Sequence, residues 1–382
     1  MHEKISSFET RMFRLPLEAY TSDKWYQEEQ MRIFNNTWQF AGYLDDLKKV
    51  GDHICTQAGK SHIIVTCAED GSIQAMHSVC RHRGNIIDGV SGDKKKFLKC
   101  PYHSWSYDLK GKLMGTPEST GFEPFEKESY NLKPAGLHVW KSMVFVHPDP
   151  HAQTFEMWIH GVEQYMGPHK PELLEEYPEE NNVYLVNCNW KIFAENYMDG
   201  YHLDYLHSKT LYMYDHSKQR SHFVGPHWTF FEPLTEDYLK NMSKYGYKVI
   251  DHIPKLSLGA YVHLIFPNLG IVESESTWTT MRLIPLSPNK TLISYRTKVM
   301  PSSAKAAKWF KSSKAKNKGP IKVEDYDKPL ESYDFMIEDM YVCENIQGTM
   351  ESGQFEAGPL HLTKESSITQ FQQAVLNLMH TE

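Results

Sequence analysis

The sequence predicts an α+β protein of two domains, and three observations support this prediction. The chain has 382 residues, 40% of them hydrophobic, which is enough for two domains that each bury their own core. Between about residues 37 and 149, short Val-, Ile- and Phe-rich runs are cut by Gly and Asp, a pattern typical of β-strands. Strand-like and helix-like segments are mixed from residue 182 onward, after an acidic, Pro-punctuated connector at residues 171–181.

Composition narrows the classes of function. The net charge of −7 gives the chain no general attraction to nucleic acid or to an anionic membrane. No apolar run approaches the roughly 18 residues of a membrane span, and the first residues do not resemble a signal or transit peptide. We therefore expect a cytoplasmic protein without nucleic-acid or membrane partners. The six Cys are too dispersed for a disulfide framework, and together with 20 His they favour metal binding.

The first region is predicted to begin with a helix over residues 9–36. Residues 63–66 and 72–76 flank a Glu-Asp-Gly turn and predict a β-hairpin. Residues 139–146 predict a single further strand, which two prolines end.

The second region is predicted to hold a strand at residues 182–188 and a helix that starts at Trp190. Later segments predict strands near residues 262–266, 278–284 and 291–297, and a last long helix around residues 330–347. The segment Lys305–Lys318 carries six lysines, and we interpret it as a solvated surface segment in preference to a docking patch.

Two short motifs in the β-rich region predict a metal site. The first is C-x-H at Cys80 and His82, and the second is C-x₂-H at Cys100 and His103. A Cys₂His₂ zinc site is the alternative, but zinc fingers pair Cys with Cys and His with His. One Cys and one His on each loop is the arrangement of a Rieske [2Fe–2S] cluster, in which two Cys hold one iron and two His the other. The remaining four Cys lack such neighbours and are expected to be buried apolar side chains.

A second group of metal-ligand residues lies on the helix that starts at Trp190. His202 and His207 are five positions apart, which on a regular helix is about 140° of rotation. Both can reach one metal only if the helix breaks or bulges, and the neighbouring Gly200 makes such a distortion plausible.

The last predicted helix supplies a third candidate ligand. Asp339 falls within an apolar stripe formed by Phe335, Val342, Cys343 and Ile346, whereas Glu338 falls on a polar stripe that we expect to face water. A buried carboxylate must be paired or must bind a metal. Two His and one carboxylate form the facial triad of non-haem Fe(II) oxygenases, and pairing of Asp339 with an Arg or a backbone amide is the alternative.

These motifs together resemble one known family. The Rieske loop pair followed by the segment Asn189–His207 is similar to the α-subunits of Rieske non-haem iron oxygenases, also called ring-hydroxylating oxygenases. The resemblance extends from Leu15 to the last helix. Within the family, the segment Glu338–Ser352 looks most like the choline monooxygenase branch.

The resemblance implies a domain plan and a set of ligands. It implies a helical segment at residues 1–36 that packs on the catalytic domain, an all-β Rieske domain at residues 37–150, and a helix-grip catalytic domain, an antiparallel sheet with helices, at residues 151–382. The cluster ligands would be Cys80, His82, Cys100 and His103, and the iron ligands would be His202, His207 and Asp339. Asp199 would be the acid that couples the two centres between subunits of a homotrimer.

The resemblance also implies the reaction. The protein would be a terminal oxygenase that uses O2 and receives electrons from NAD(P)H through a flavin or iron–sulfur reductase, directly or through a ferredoxin. Its substrate would be a quaternary ammonium or betaine-type compound, oxidised by N-demethylation or by choline-like monooxygenation. The alternative is mono- or dihydroxylation of an aromatic ring or aromatic acid.

Aromatic residues near the predicted iron site could line a substrate pocket. Such walls attract an ammonium cation by cation–π interaction, and they suit a flat aromatic acid equally well. The candidates are Tyr201, Tyr205, Tyr212, Tyr214, Phe230, Phe231 and Trp278, and we single out Tyr201, Tyr205, Phe230 and Trp278.

Two other classes of protein fit the sequence less well. A Rieske ferredoxin would have no use for the long region after the cluster motifs, and a zinc-stabilised binding module would hold no iron. Two positions depart from the family pattern. Ser104 replaces the usual Gly of the second loop, and we expect this replacement to be tolerated if the backbone angles of Ser104 are ordinary. Asp199 replaces the Glu of carnitine oxygenases, which disfavours carnitine as the substrate.

Overall fold

The computed structural model describes residues 13–122, 124–242, 249–303 and 319–380 of the 382-residue chain. Glu29–Trp158 forms one compact unit, the β-rich unit, and the described residues on either side of it form the second, the sheet–helix unit. The domain predicted at residues 37–150 starts eight residues after Glu29 (37 against 29) and ends eight before Trp158 (150 against 158). The Lys305–Lys318 segment lies outside the described residues.

The helix predicted at residues 9–36 begins outside the described residues, and its described part, from residue 13 onward, is broken into short pieces. Helix α1 covers Glu18–Thr21 and helix α2 covers Asp23–Glu29, and a π-helical turn continues through Gln30–Phe34. The break falls at Ser22, whose backbone is extended (φ −91°, ψ 127°).

The β-rich unit contains three small antiparallel sheets, with strand orders β1-β9-β8, β2-β3-β4 and β5-β6-β7. The strands are β1 Gln39–Tyr43, β2 His53–Ala58, β3 Ser61–Cys67, β4 Ile73–His77, β5 Leu98–Lys99, β6 Ser106–Tyr107, β7 Leu113–Gly115, β8 Gly136–Trp140 and β9 Met143–His147. Helix α3, Phe155–Trp158, ends the unit. The predicted hairpin is confirmed, with Cys67 of β3 opposite Ile73 of β4.

One predicted strand of this unit is wrong. Residues 139–146 do not form a continuous strand but belong to β8 and β9, which pair antiparallel across a two-residue turn. Lys141 and Ser142 form that turn at positive φ, 48° and 56°. Positive φ at both central positions matches the right-handed twist of a hairpin, but Lys and Ser are not residues that announce such a turn.

The sheet–helix unit is built on one antiparallel sheet of eight strands. Its order is β10-β17-β16-β15-β14-β13-β12, and β11 also pairs with β17. The strands are β10 Glu175–Glu176, β11 Asn182–Val186, β12 Arg220–Val224, β13 His227–Pro233, β14 Gly259–Ile265, β15 Leu269–Glu273, β16 Thr277–Ser287 and β17 Lys290–Val299. The helices are α4 Trp190–Met198, α5 Leu203–Leu206, α6 Glu236–Asn241, α7 Phe335–Glu351 and α8 Ser366–Met379.

Helix α4 is the central buried helix of this unit. Asn189 caps it by accepting a hydrogen bond from the backbone of Lys191, and its Trp190 and Phe193 side chains are fully buried. Trp190 packs edge-on against Phe371 of α8, with ring centroids 5.7 Å apart. The fold is therefore α+β, with an antiparallel sheet covered by helices, as predicted. Within the described residues, no helix is both long enough and apolar enough to span a membrane.

Candidate metal centres and active-site cavity

The two cysteine–histidine loops of the β-rich unit have the same backbone hydrogen bonds. In each loop the Cys carbonyl accepts from the amide four residues later, and the Cys amide donates to the carbonyl five residues later, at 2.8–3.0 Å. The fifth residue of each loop has a positive φ, +75° at Gly84 and +60° at Ser104. The condition under which we expected Ser104 to be tolerated, ordinary backbone angles, is therefore not met, since Ser104 adopts the conformation that Gly adopts without strain.

These loops bring the four predicted cluster ligands together. Cys80 and Cys100 are 3% and 1% exposed, and their thiols lie close enough for Cys100 to help raise the pKa of Cys80, which burial raises most. The rings of His82 and His103 have centroids 4.7 Å apart, and the buried Nδ1 atom of His82 has no hydrogen-bond partner. Two thiols and two imidazoles, one with an unsatisfied nitrogen, are the donor set that a Rieske cluster requires.

Neighbouring aromatic side chains hold this arrangement in place. The His82 ring stacks on Trp105 at 4.9 Å with an interplanar angle of 6°. The Tyr107 hydroxyl lies 3.4 Å from Cys80 Sγ and also accepts a hydrogen bond from the backbone of Arg81 at 3.0 Å. These contacts therefore hold the side chains of His82 and Cys80 in position.

A break in the helical chain positions the two histidines of the second centre. Helix α4 ends at Met198, and His202 and His207 stand at the two ends of the four-residue helix α5. The predicted distortion lies before His202 and not between the two histidines. Gly200 contributes space to it, since a Cβ atom there would lie 1.9 Å from Gln219 Oε1.

The third predicted ligand, Asp339, meets these histidines. Asp339 Oδ1 lies 2.9 Å from His207 Nε2 and 3.6 Å from His202 Nε2. One potential ligand atom from each of the three side chains lies within 4.8 Å of the others, so the group can hold a metal ion. Two imidazoles and a carboxylate suit non-haem iron and leave coordination positions open.

Each histidine is oriented by a second carboxylate. Asp199 Oδ2 lies 2.9 Å from His202 Nδ1, and Glu338 Oε2 lies 2.8 Å from His207 Nδ1. Burial lowers the pKa of His207, but the hydrogen bonds to Asp339 and Glu338 outweigh it and raise the pKa. With both Nδ1 atoms engaged, both Nε2 atoms are directed toward the position of a metal.

Glu338 is buried beside His207, contrary to the prediction. We expected it to face water, but its side chain is only 4% exposed and also accepts a hydrogen bond from Thr210 Oγ1 at 2.9 Å. Successive residues of a helix are about 100° apart around its axis, so Glu338 was assigned to a different stripe from Asp339, and that stripe is polar in sequence. Glu338 is buried and Asp339 is half-buried, and the ring of His207 contacts both acids, a contact that helical periodicity does not predict.

A cavity of about 330 Å³ extends from the histidine–aspartate group. Its walls come from α4, α5, the first turns of α7 and one face of the large sheet. They are mostly apolar and aromatic, and they include Tyr197, Tyr214, Trp228, Phe230, Tyr238, Val262, Tyr295 and Phe335. Two further acids, Glu232 and Glu275, also line the cavity.

The structure places only one of the four preferred pocket residues in this cavity. Phe230 lines it, whereas Tyr201 and Tyr205 are 44% and 72% exposed and lie outside it. Trp278 is fully buried but belongs to the opposite face of the sheet, because its neighbours Thr277 and Thr279 line the cavity. Of the wider set of candidates, Tyr214 lines the cavity, but Tyr212 and Phe231 do not.

Comparison with known protein families covers both units. Residues 37–126 match the Rieske [2Fe-2S] domain, and residues 172–381 match the catalytic domain of the ring-hydroxylating alpha subunit. Together with the geometry above, these matches define the class as a Rieske oxygenase, an oxidoreductase that uses a [2Fe–2S] cluster and a mononuclear iron. The chain belongs to the ring-hydroxylating alpha subunit family.

The individual relatives described next share 18–26% of their residues with this chain. The chain is 26% identical over 363 residues to a chloroplastic choline monooxygenase of Arabidopsis thaliana, covering 92% of this chain and 79% of the relative. It is similar in structure to the quaternary ammonium Rieske monooxygenase CntA (TM-score 0.75, 20% identity, 98% of both chains). It is also similar to naphthalene 1,2-dioxygenase from Rhodococcus sp. (TM-score 0.73, 18% identity, 96% of this chain and 94% of that chain).

Proposed function

We propose that the protein is the terminal oxygenase component of a multicomponent system that oxidises a quaternary ammonium compound. The observation that carries this proposal is the cavity, in which two buried carboxylates, Glu232 and Glu275, accompany aromatic walls beside the histidine–aspartate group. The likeness in fold does not choose the substrate, since an ammonium oxygenase and an aromatic dioxygenase match about equally well. Additional wall carboxylates favour a cationic substrate over an aromatic hydrocarbon or acid.

The proposal assigns a role to each unit. The β-rich unit would be the cluster domain, with Cys80, His82, Cys100 and His103 as ligands. The sheet–helix unit would be the catalytic domain, with His202, His207 and Asp339 as the iron ligands. The bound cluster would supply single electrons, and the bound iron would supply the activation of O2. The protein itself orients the ligands, excludes water and positions the substrate.

Asp199 is the proposed link between the two centres. One of its carboxylate oxygens contacts His202 Nδ1 at 2.9 Å, and the other accepts a hydrogen bond from the Tyr201 amide. Its side chain keeps 16% exposure, so a further polar group can reach it. In a homotrimer, that group would be a cluster histidine of a neighbouring subunit, which would let Asp199 couple the two centres.

Electrons for the reaction would come from NAD(P)H through a separate reductase, with or without a ferredoxin. The six cysteines form no disulfide bonds, which agrees with a reducing compartment such as the cytoplasm.

The first test measures oxygen uptake and product together. Purified protein with a matched reductase is offered choline, glycine betaine or an aromatic acid, and the oxidised product is quantified against the O2 consumed. We expect coupled turnover with a quaternary ammonium compound. Coupled turnover with the aromatic acid alone would overturn the proposed substrate class and leave the oxygenase assignment intact.

The second test addresses Asp199. Asp199→Ala is expected to keep both metals, measured by iron content and the visible spectrum, and to lose most of the turnover. Asp204→Asn is the matched control, because Asp204 lies on the next helix, is 46% exposed and pairs with Lys364 at 2.9 Å. Full activity of Asp199→Ala would refute the coupling role.

A further inference from the structure

Glu275 stands at the tip of the turn that joins β15 to β16. Its side chain lines the same cavity as His202, His207 and Asp339, and the residue is only 6% exposed. The proposed function counts it as a wall carboxylate but gives it no individual role. A carboxylate that is buried in an active-site cavity and is not needed for the metal calls for an explanation.

Several hydrogen bonds hold the turn that carries this carboxylate. Ser274 Oγ accepts hydrogen bonds from the backbone amides of Ser276 and Thr277, at 3.3 and 3.0 Å. The Ile250 amide donates to the carbonyl of Glu275 at 2.9 Å. A contact of 2.6 Å between His169 Nε2 and the Ser274 carbonyl supports the turn from behind. A ligand that contacts Glu275 therefore does not have to order the turn that carries it.

The charge of Glu275 is poorly balanced within the protein. The Tyr214 hydroxyl donates to its carboxylate at 3.5 Å, a long hydrogen bond. Glu232, the other wall carboxylate, is held 2.7 Å from His216 Nδ1. His169, whose charge acts on Glu275, is already 3.0 Å from Glu273. Among the residues that the structure describes, no Lys or Arg lines the cavity. The missing positive charge can therefore come from a ligand.

Aromatic rings accompany this carboxylate. Tyr214 and Tyr238 line the cavity with Glu275, and both Tyr238 and Glu275 lie near enough to Tyr214 to act on its hydroxyl. A carboxylate beside aromatic faces is the environment that attracts an alkylammonium group, through ion pairing and cation–π interaction.

We propose that Glu275 is the counter-ion of the substrate's ammonium group, and that it gives the enzyme a preference for monocationic ammonium compounds over neutral and zwitterionic analogues. This inference rests on the proposed quaternary ammonium function and names the residue that confers it. A betaine brings its own carboxylate into a cavity that already holds Glu232, Glu275 and Asp339, and like charges oppose its binding. A choline-like cation brings no such charge.

Three ligands of similar size test the proposal by calorimetric titration of the iron-loaded, full-length protein. Choline carries the ammonium group, 3,3-dimethyl-1-butanol has the same shape with carbon in place of the charged nitrogen, and glycine betaine adds a carboxylate. We expect choline to bind about 10- to 100-fold more tightly than the neutral alcohol, as for a buried charged contact. Glycine betaine is expected to bind more weakly than choline.

Variants of Glu275 then locate the source of the preference. Glu275→Gln should weaken choline binding about 10-fold or more and leave the neutral alcohol nearly unchanged. Glu275→Asp keeps the charge and should retain most of the preference, which also provides a folded variant if Glu275→Gln is unstable. Glu236→Gln is the control, because Glu236 is a carboxylate of α6 whose side chain is 83% exposed.

The outcomes separate this inference from the proposed function. Tight choline binding that Glu275→Gln does not alter would overturn the role of Glu275 and leave the ammonium function standing. The same would follow if wild type bound choline and its neutral analogue equally. Binding of an aromatic acid with no binding of choline or glycine betaine would overturn both proposals.

Discussion

Glu195 offers a sharp test of the electrostatics inside the sheet–helix unit. It lies on α4 and is 6% exposed, and its Oε1 accepts hydrogen bonds from Tyr20 Oη at 2.6 Å and from Gln372 Nε2 at 3.0 Å. Burial raises its pKa from 4.5 to about 7, because these two hydrogen bonds and the charge of Lys191 offset only part of the desolvation. The charge of Glu195 also contributes to raising the pKa of Cys343 of α7, which burial raises most.

The sign of the pH effect follows from this raised pKa. Between pH 4.5 and about 7 the folded chain retains a proton on Glu195 that the unfolded chain has released. The contribution of Glu195 to stability is therefore complete below pH 4.5 and is lost as the pH rises through about 7. The rise in the pKa of Glu195 from 4.5 to about 7 corresponds to about 3 kcal/mol of unfolding free energy.

Glu195→Gln isolates this effect, because the amide keeps an acceptor oxygen for Tyr20 and Gln372 but cannot ionise. The assay is denaturant unfolding of iron-loaded wild type and variant from about pH 4.5 to pH 8. We expect wild type to lose about 3 kcal/mol relative to the variant over this range. Parallel pH profiles would refute the reasoning, and the exposed Glu331→Gln should give such parallel profiles.

Two further changes test the candidate metal centres. Glu338→Gln should lower iron affinity about 10-fold or more, because it weakens the orientation of His207, and a metal titration measures this. Glu344→Gln on the same helix is the control, and unchanged affinity in Glu338→Gln would contradict the orienting role. Ser104→Gly should stabilise the β-rich unit by about 1 kcal/mol in thermal unfolding, because its φ of +60° suits Gly. Gly84→Ser in the equivalent loop should destabilise the unit, and no difference in either variant would show that this strain is negligible.

Local spacing predicted the parts of the site that depend on short stretches of chain. The loop pair at Cys80 and Cys100 needs only a Cys and a His close together on each turn, so the sequence contains the whole pattern. Asp339 was predicted from its place in an apolar stripe, and the structure brings it to His202 and His207. The predicted stripe is not the buried face of α7, which is formed by Met336, Met340, Cys343 and Gln347.

Features that depend on distant contacts could not be predicted in this way. The alternation of β16 separates Thr277 and Thr279 from Trp278, but it does not say which face of the sheet borders the cavity. The face that borders the cavity is determined by which helices pack on each face. Trp278 was therefore predicted on the cavity face, but it lies on the opposite one. Glu338 escaped prediction for a similar reason, since its burial depends on His207 from another part of the chain.

Glu273 and Glu275 show how a partner, and not burial alone, decides what a carboxylate does. They are two residues apart, and both are almost completely buried, at 0% and 6% exposure. Burial raises the pKa of Glu273, but the imidazoles of His263 and His169, at 2.9 and 3.0 Å, outweigh it and hold the pKa below its usual value. Burial raises the pKa of Glu275 as well, and there the hydrogen bonds and the charge of His169 do not outweigh it.

The fold therefore treats the same side chain differently at these two positions. At the end of β15, Glu273 keeps its charge because the fold supplies His263 and His169 as partners for it. In the turn that follows, Glu275 lines the cavity beside aromatic rings, and its charge has no equivalent partner among the described residues. Burying a carboxylate without a cationic partner costs free energy, and a bound ligand of opposite charge offsets that cost. This asymmetry is the strongest physical reason to expect an ammonium compound in the cavity.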